Sequence, residues 1–259
     1  MTVMMLVLAF IIGAVVGSFL NVVIYRLPKI LVNQGQIGRP FSLWLPRSHC
    51  THCQRTLYWW HNIPLISFVV LLGRCAFCHH KIGWQYPLVE WITALLTLLV
   101  LSLFGFDVKA CLMVLFTWWL IALFVIDLQA QLLPDQLTLS LLWLGLLVNV
   151  SGMFVPLSQA VIGAASGYVV FWLIYWGFKH LTDKEGLGYG DFKLFAALGA
   201  WLGWLHLPLV LAIGAGLTLF VVGVSWLFNR GTLRGRIVPF GPGLAIAGWL
   251  VLLMGVTKW

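Results

Sequence analysis

Charged side chains are scarce in this sequence. Only 8% of its 259 residues are charged and 62% are hydrophobic, with a mean hydropathy of +1.01. A soluble domain carries roughly 25% charged residues. No water-soluble fold of this length could hide so much apolar surface, so lipid must be the solvent over most of the chain. The scarcity of charge therefore excludes a soluble globular protein.

Two further absences narrow the class of protein. No basic helix carries interleaved aromatic residues, so the net charge of +8 does not indicate binding to nucleic acid. Lysine and arginine instead collect in the cytoplasmic loops of membrane proteins, beside anionic lipid headgroups. No lysine or arginine precedes the first apolar run, and no small-residue cleavage site follows it, as a secretory signal requires. We expect the first helix to be retained.

Long apolar runs occupy most of the chain. A hydrocarbon core needs about 20 apolar residues per helix, and eight runs approach or reach that length. The runs are 4–24, 88–106, 110–126, 136–155, 160–178, 192–206, 207–228 and 238–257. The sequence therefore predicts an all-α polytopic membrane protein with about eight transmembrane helices.

Positive charge predicts the orientation of these helices. If all eight runs cross the bilayer, the loops on one side contain twelve lysines and arginines, and the opposite side has only Lys109 and Lys258. The basic loops are 25–87, 127–135, 179–191 and 229–237. Such a bias places the basic loops in the cytoplasm. Without the sixth run, three arginines would fall on the opposite side, so we keep that run as a span.

Residues 25–87 make up the one sizeable segment between apolar runs. This segment has about 60 residues and no acidic side chain. A domain so small cannot form a large core and needs a stabilising cross-link instead. The predicted organisation is a first transmembrane helix in 1–24, a cytoplasmic domain in 25–87 and a seven-helix membrane domain in 88–259.

Four cysteines in this segment can supply the expected cross-link. Cys50 and Cys53 form one C-x-x-C pair, and Cys75 and Cys78 form a second after 21 intervening residues. Pairs at this spacing offer four thiolates to a tetrahedral zinc ion. Disulfides are the alternative, although a cytoplasmic loop lies in a reducing compartment. Four cysteine ligands leave no open coordination position, so the predicted zinc is structural and not catalytic.

Four histidines stand beside the cysteine pairs and offer replacement ligands. They are His49, His52, His79 and His80. A solvated surface on the metal-binding turns explains them more simply than metal ligation does. The cysteines therefore remain the predicted ligands of a small zinc-binding loop domain.

The seven acidic residues give a short set of candidate catalytic groups. Asp107, Asp183 and Glu185 lie in polar loops, where solvated roles are the simplest explanation. Asp127 closes the third run, and Asp191 opens the sixth. A carboxyl group at membrane depth is costly and indicates function by default. The two remaining acids, Asp135 and Glu90, lie near the ends of runs.

A structural explanation for Asp191 is the helix dipole, which favours an anion at a helix N-terminus. That explanation does not account for Gly186, Gly188 and Gly190, which alternate before it and free the backbone for close approach by a peptide or a second helix end. Asp127 ends a helix, where the dipole disfavours an anion. We therefore expect both positions to be functional.

The predicted topology places Asp127 and Asp191 at the same cytoplasmic depth. Two carboxyl groups brought close cannot both ionise easily and share a proton. One then acts as a general base on water, while its protonated partner hydrogen-bonds the scissile carbonyl. No serine or cysteine nucleophile occurs with a suitable base. Two alternatives are a transporter with these aspartates as proton relays, which favours midplane carboxylates and inverted repeats, and a docking protein for a secretion machine, with structural aspartates.

Taken together, these residues resemble the bacterial type IV prepilin leader peptidases, the bifunctional branch of the G-x-G-D aspartyl membrane proteases. The match runs in order along nearly the whole chain. Besides both cysteine pairs, it includes GSFLNVVIYRLP from Gly17, NIPLIS from Asn62, GRC before the second pair, YPLVE from Tyr86, Ile126-Asp127 with Leu133-Pro134-Asp135, GLGYGDFKL from Gly186 and PFGPGLAIAG from Pro239.

The resemblance implies a protein of the bacterial inner membrane with its active site and zinc loop facing the cytoplasm. It implies removal of the basic leader from type IV prepilins or type II secretion pseudopilins, and then N-methylation of the new terminus with S-adenosylmethionine. The family's catalytic pair matches Asp127 and Asp191, and Asp135 is better interpreted as supporting its loop. The four cysteines match the family's metal-binding loop, which is associated with methyl transfer.

No glycine-rich nucleotide loop follows a strand, so the methyl-donor site rests on the resemblance alone. Ser18, Asn21 and Glu90 are polar groups near the cytoplasmic side that could contribute to it, and helix–helix hydrogen bonding explains them equally well.

Glycines also predict helix packing and a backbone break. Gly13 with Gly17, and Gly199 with Gly203, form G-x-x-x-G pairs typical of close helix packing. Residues 239–243 contain two prolines and two glycines and interrupt the start of the last run at the depth of the aspartates. Irregular backbone at that depth is tolerated where it lines a cavity. We expect it to hold an extended substrate beside the two carboxyl groups.

Overall fold

The computed structural model describes residues 3–32, 42–183, 188–228 and 238–256. These residues are mainly helical, and none of them belongs to a named β-strand. The α-helices are α1 (Val3–Val32), α2 (Ile66–Val70), α3 (Gln85–Phe104), α4 (Val108–Ala130), α5 (Asp135–Val150), α6 (Leu157–Thr182), α7 (Tyr189–Leu202), α8 (Leu207–Phe228) and α9 (Gly241–Val256). Short 3₁₀ helices cover Trp59–Asn62 and Trp204–His206.

Each of the eight predicted apolar runs coincides with a helix, which confirms the all-α membrane fold. Five helical segments of the described chain are long and apolar enough to cross a bilayer: Val3–Val32, Gln85–Phe104, Val108–Ala130, Leu157–Thr182 and Trp204–Phe228. Helices α5, α7 and α9 have 16, 14 and 16 residues. At 1.5 Å per residue these reach only about 21–24 Å, less than a hydrocarbon core of about 30 Å. The count of eight spans stays a prediction.

Helix α1 continues well past its predicted end at residue 24 and stops at Val32. Arg26 follows the apolar run, but this arginine is only 4% exposed. Its guanidinium donates hydrogen bonds to the carbonyl groups of Ser42, Leu43 and Pro46. Because the protein itself satisfies these donors, the charge does not end the helix.

The chain divides into two compact units, Met1–Ala122 and Leu123–Trp259. In the first unit, α1 packs directly against α3. A Cβ atom at Gly13 would lie 2.7 Å from the Cα atom of Ala94, and one at Gly17 would lie 2.8 Å from the Cα atom of Glu90. The predicted packing role of this glycine pair is therefore confirmed.

Helix α7 is the most enclosed element of the second unit and packs against α5, α6 and α9. All its residues from Phe192 to Leu202 are buried except Lys193. The main chains of Gly199 and Gly163 touch, so the packing prediction holds for Gly199. Its predicted partner Gly203 has a different role, since it ends α7 with a φ of +76°.

Buried polar groups fix α7 to α5. The amide of Asn149 donates to the carbonyl group of Ala200 at 2.9 Å, and its oxygen accepts the N–H groups of Phe154 and Val155. The indole of Trp201 donates to the carbonyl group of Leu141 at 2.9 Å. These bonds satisfy the polar atoms in an apolar surrounding and fix the C-terminal end of α7 against α5.

Candidate active site and metal centre

Asp127 lies in the last turn of α4 and is only 5% exposed. Within the described part of the chain, its Oδ2 atom is buried and has no hydrogen-bond partner. The main chain of Gly241, the first residue of α9, approaches this carboxyl group. A buried acceptor oxygen without a partner is rare in folded proteins.

Asp191 lies in the first turn of α7 and is 8% exposed. Its N–H group donates to the carbonyl group of Gly188 at 3.1 Å. Its Oδ2 atom would lie 3.5 Å from a Cβ atom at Gly188, so the side chain turns back over this glycine. The predicted position at a helix N-terminus is confirmed, and the dipole of α7 favours its carboxylate form.

The second unit brings the two carboxyl groups together, and they interact electrostatically. Leu133 lies beside Gly190 and Gly241. A Cβ atom at Gly190 would be 2.7 Å from the Cβ atom of Leu133, and one at Gly241 would be 3.3 Å from its Cδ1 atom. The segment after α4 therefore packs against the starts of α7 and α9. Gly190 makes room for Leu133, whereas Gly186 lies outside the described residues.

Two helix N-termini thus face the carboxyl pair. The first N–H groups of a helix have no partner within it, and they carry the positive end of the helix dipole. Helix α9 begins within the predicted backbone break, with Pro242 at its second residue. A proline costs nothing at this position, because its missing N–H would be unpaired there. The helix starts stabilise negative charge, whereas burial and mutual repulsion oppose charge on both groups at once.

The remaining acids have other surroundings. Asp135 begins α5 and forms an ion pair with Lys193 at 2.6 Å. The sequence identified Asp135 as a supporting residue but gave no partner for it. Asp183 ends α6 with a φ of +53°, and Glu185 lies outside the described residues. In the first unit, Asp107 caps the start of α4 by accepting the N–H group of Ala110 at 2.7 Å.

The four cysteines meet in the first unit as predicted. The sulfur atoms of Cys50, Cys53, Cys75 and Cys78 all lie within 4.8 Å of one another, and all four thiols are free. Each pair forms the same turn. In each turn, the residue directly after the second cysteine donates its N–H group to the carbonyl group of the first cysteine. Gln54 donates to Cys50 and His79 donates to Cys75, both at 3.0 Å.

This sulfur geometry fits a zinc ion. Tetrahedral coordination at about 2.3 Å places sulfur atoms about 3.8 Å apart, and Cys50 Sγ lies 3.9 Å from Cys78 Sγ. Burial opposes ionisation of the Cys75 thiol, but hydrogen bonds from the N–H groups of Cys78 and Phe77 and from neighbouring thiols lower its pKa to about 7. The histidines stand outside the cluster, and His52 and His80 are exposed and stacked on each other.

The three polar residues considered for the methyl donor also meet in the first unit. Glu90 Oε2 accepts the N–H group of Leu65 at 2.9 Å, and Glu90 is hydrogen-bonded to Ser18. Asn21 donates to the carbonyl group of Tyr86 at 3.0 Å. Helix–helix hydrogen bonding is thus part of their role.

Two family descriptions match this chain along consecutive segments. The Bacterial Peptidase A24 N-terminal domain matches residues 11–104, and the Type IV leader peptidase family matches residues 114–224. The first match contains the four cysteines, and the second contains both aspartates of the pair. No solved structure matches the chain.

Curated relatives match over almost the full length. A prepilin leader peptidase/N-methyltransferase of Aeromonas hydrophila is 48% identical over 97% of this chain and 92% of its own length. The protein of that name from Pseudomonas putida is 48% identical over 96% of this chain and 90% of its own. One from Legionella pneumophila is 42% identical over 94% and 90%.

Proposed function

The chain belongs to the type IV leader peptidase family, and from that premise we propose that it removes the leader peptide of type IV prepilins or pseudopilins and then methylates the new amino terminus. The observation that carries the proposal is the pair of buried carboxyl groups, Asp127 and Asp191, set against the starts of two helices.

In the proposed cleavage, the two aspartates hold one proton between them. The ionised carboxylate takes a proton from a water molecule, which attacks the scissile carbonyl carbon. The protonated partner donates a hydrogen bond to the carbonyl oxygen and stabilises the charge that develops there. Burial strengthens both interactions, because few water molecules compete for the carboxyl groups. Asp135 takes no part in this chemistry, since Lys193 already holds it.

The substrate fits a site at this position. A leader peptide with basic residues remains on the side of the membrane that carries most of the chain's positive charge, which we propose to be the cytoplasm. The segment that contains the scissile peptide bond must be extended to reach both carboxyl groups. The backbone at 238–240, just before α9, is not helical, and we propose that such a segment lies along it.

We further propose that Cys50, Cys53, Cys75 and Cys78 bind one structural zinc ion. The ion would fix the loop of the first unit, since that loop has few other elements to hold it. Methyl transfer uses S-adenosylmethionine, which supplies an electrophilic methyl group when bound. The chain's own task is to hold that donor beside a neutral amine and keep water out.

Transport is the weaker alternative, because the carboxyl groups lie at helix ends and not in the middle of helices. One substrate tests the proposal. Purified protein in detergent is incubated with a prepilin and labelled S-adenosylmethionine, and the products are analysed by mass spectrometry. We expect a shortened chain carrying one added methyl group. An intact prepilin after incubation with wild-type protein would overturn the proposal.

A further inference from the structure

Helix α2 and the turn after it have one face turned towards the protein and one face exposed. Ser67, Phe68 and Leu71 line a cavity of about 450 Å³ that lies between α1, the cysteine-rich loop and the start of α3. The opposite face carries large apolar side chains that are between 61% and 84% exposed, and together with Trp84 they form the apolar patch: Ile66, Val69, Val70, Leu72 and Trp84. Neighbouring exposed apolar side chains mark a contact with a membrane or with another protein.

The start of α2 lies close to the boundary of the hydrocarbon core. Helix α3 is a candidate span of 20 residues, so its length of about 30 Å just matches a hydrocarbon core of about 30 Å. Its first residue, Gln85, therefore stands at the boundary. The N–H group of Leu65 donates to Glu90 Oε2 at 2.9 Å, and Glu90 is only five residues along α3. Because helical side chains lean towards the helix N-terminus, this bond holds Leu65 level with the first turns of α3.

Ring contacts place other parts of the same loop at this level. The ring centroids of Phe68 and Trp84 lie 5.3 Å apart, and Trp84 directly precedes α3. The ring of Trp44 lies 5.9 Å from that of Phe19, which belongs to the apolar run of α1. Tryptophan is enriched at the boundary between lipid and water. Helix α2 has five residues and is about 7.5 Å long, too short to cross a bilayer, so it lies along the boundary.

Positive charge stands beside the apolar patch. Arg74 and Lys81, both exposed, face each other across an antiparallel bridge that lies between Leu72 and Trp84 in the chain. Like charges opposite each other in such a pair repel, and residues 25–87 contain no acidic side chain. A zinc ion with four thiolates carries two negative charges, fewer than the four exposed basic residues around it, Arg47, Arg55, Arg74 and Lys81. Anionic lipid headgroups would neutralise the charge that remains.

We propose that the apolar patch is inserted into the lipid leaflet in which α3 begins, with Arg74 and Lys81 against anionic lipid headgroups. Interfacial helices bury their apolar face about 5–10 Å into the boundary between headgroups and acyl chains, which suits a short helix tied to the first turns of α3. Apolar insertion and charge then both hold the metal-binding loop against the membrane surface. This contact with lipid does not depend on the proposed reaction.

Depth-dependent quenching tests the insertion on full-length protein in vesicles of phosphatidylcholine and phosphatidylglycerol. A fluorescent unnatural amino acid replaces Val69 or, as the matched control, Leu95, an exposed leucine in the middle of α3. The lipids carry a nitroxide quencher either near the headgroup or near the end of the acyl chain. At Val69 we expect the shallow quencher to act about twofold more strongly than the deep one, and at Leu95 we expect the reverse. Iodide in the water should quench both sites only weakly.

Two results of this experiment would overturn the proposal. Strong quenching by iodide at Val69 would show that the apolar patch lies in water. Quenching by neither iodide nor the labelled lipids would show that protein covers the patch, such as a second copy of this chain or a partner protein.

A nitroxide carried on the headgroup of phosphatidylglycerol or of phosphatidylcholine tests the two cations with the same reporter at Val69. We expect the phosphatidylglycerol quencher to act more strongly. A basic residue near an anionic membrane contributes about 1 kcal/mol, which corresponds to about fivefold. Arg74→Gln and Lys81→Gln should each lower the preference by up to that factor, and Arg55→Gln, an exposed arginine outside the patch, should lower it less. An equal loss with Arg55→Gln, or an unchanged preference when Arg74 and Lys81 are both replaced, would overturn the headgroup contact.

Discussion

Gly241 is the position where the smallest change should disturb the carboxyl pair. A Cβ atom there would lie 2.5 Å from Asp127 Oδ2 and 3.1 Å from its Cγ atom. Real Cβ contacts begin at 3.0 Å and are ordinary beyond 3.4 Å. The change Gly241→Ala must therefore move the Asp127 carboxyl group by about 0.5 to 0.9 Å.

A shift of this size acts on the reaction and not on folding. Misplacing a catalytic group by about 1 Å costs roughly a hundredfold in rate, which is about 2.7 kcal/mol. We expect Gly241→Ala to lower kcat about ten- to hundredfold and to change KM much less, because contacts with the rest of the substrate remain. The larger change Gly241→Leu should lower kcat further. The displaced atom is the end of a side chain and not main chain, so the unfolding temperature should change little.

The assay is the initial rate of prepilin cleavage by purified protein, followed by the mobility shift on leader removal. Gly255→Ala is the matched control, because this glycine lies on the same helix with no heavy atom within 4 Å of the added Cβ. It should cleave at the wild-type rate. If Gly241→Ala also cleaves at the wild-type rate, the inferred closeness of α9 to Asp127 is refuted.

Three further substitutions test the metal site, the ion pair of Asp135 and the packing of α7. Cys50→Ser should lower the zinc content measured by elemental analysis, and undiminished zinc would count against the metal site. Asp135→Asn breaks an ion pair with Lys193 in which the two side chains are 57% and 28% exposed, and such pairs contribute about 0–1 kcal/mol. The cleavage rate should therefore change less than about fivefold. A loss of rate as large as that caused by replacing a catalytic aspartate would contradict this. Gly199→Leu would press against the main chain of α6 and should lower the unfolding temperature, whereas Gly223→Leu, in open space on α8, should not.

The sequence was sufficient to predict the helices and the two aspartates because both depend on local features. Apolar runs long enough for lipid mark the helices, and a carboxyl group at the boundary of such a run is conspicuous. The alternating glycines before Asp191 added a second local signal. Each cysteine pair is local as well, because its two residues share one turn, and the spacing of the two pairs is typical of one four-cysteine metal site.

Contacts between distant segments could not be predicted in this way. Helices in lipid are apolar on every side, so hydropathy does not show which face of α7 meets α6 or α5. The contact of Gly163 with Gly199 and the ion pair of Lys193 with Asp135 depend on that choice. Glycine at 163 and 167 was the available signal for the first contact, because it forms a further G-x-x-x-G pair.

The cavity of the first unit also could not be predicted from the sequence. Ser18, Asn21 and Glu90 were recognisable as polar residues near run ends, but their convergence requires the register of α1 against α3. Gly13 and Gly17 set that register by close approach. The extension of α1 past Arg26 was missed for a related reason, because distant carbonyl groups satisfy that charge.

The most direct test of the catalytic pair is a double-mutant cycle on cleavage. Rates are measured for wild-type protein, Asp127→Asn, Asp191→Asn and the double variant, with folding checked by thermal unfolding. If the two carboxyl groups act as one unit, either single change removes nearly all activity and the double variant is no slower than the singles. A single variant that cleaves prepilin at a rate close to wild type would contradict the account.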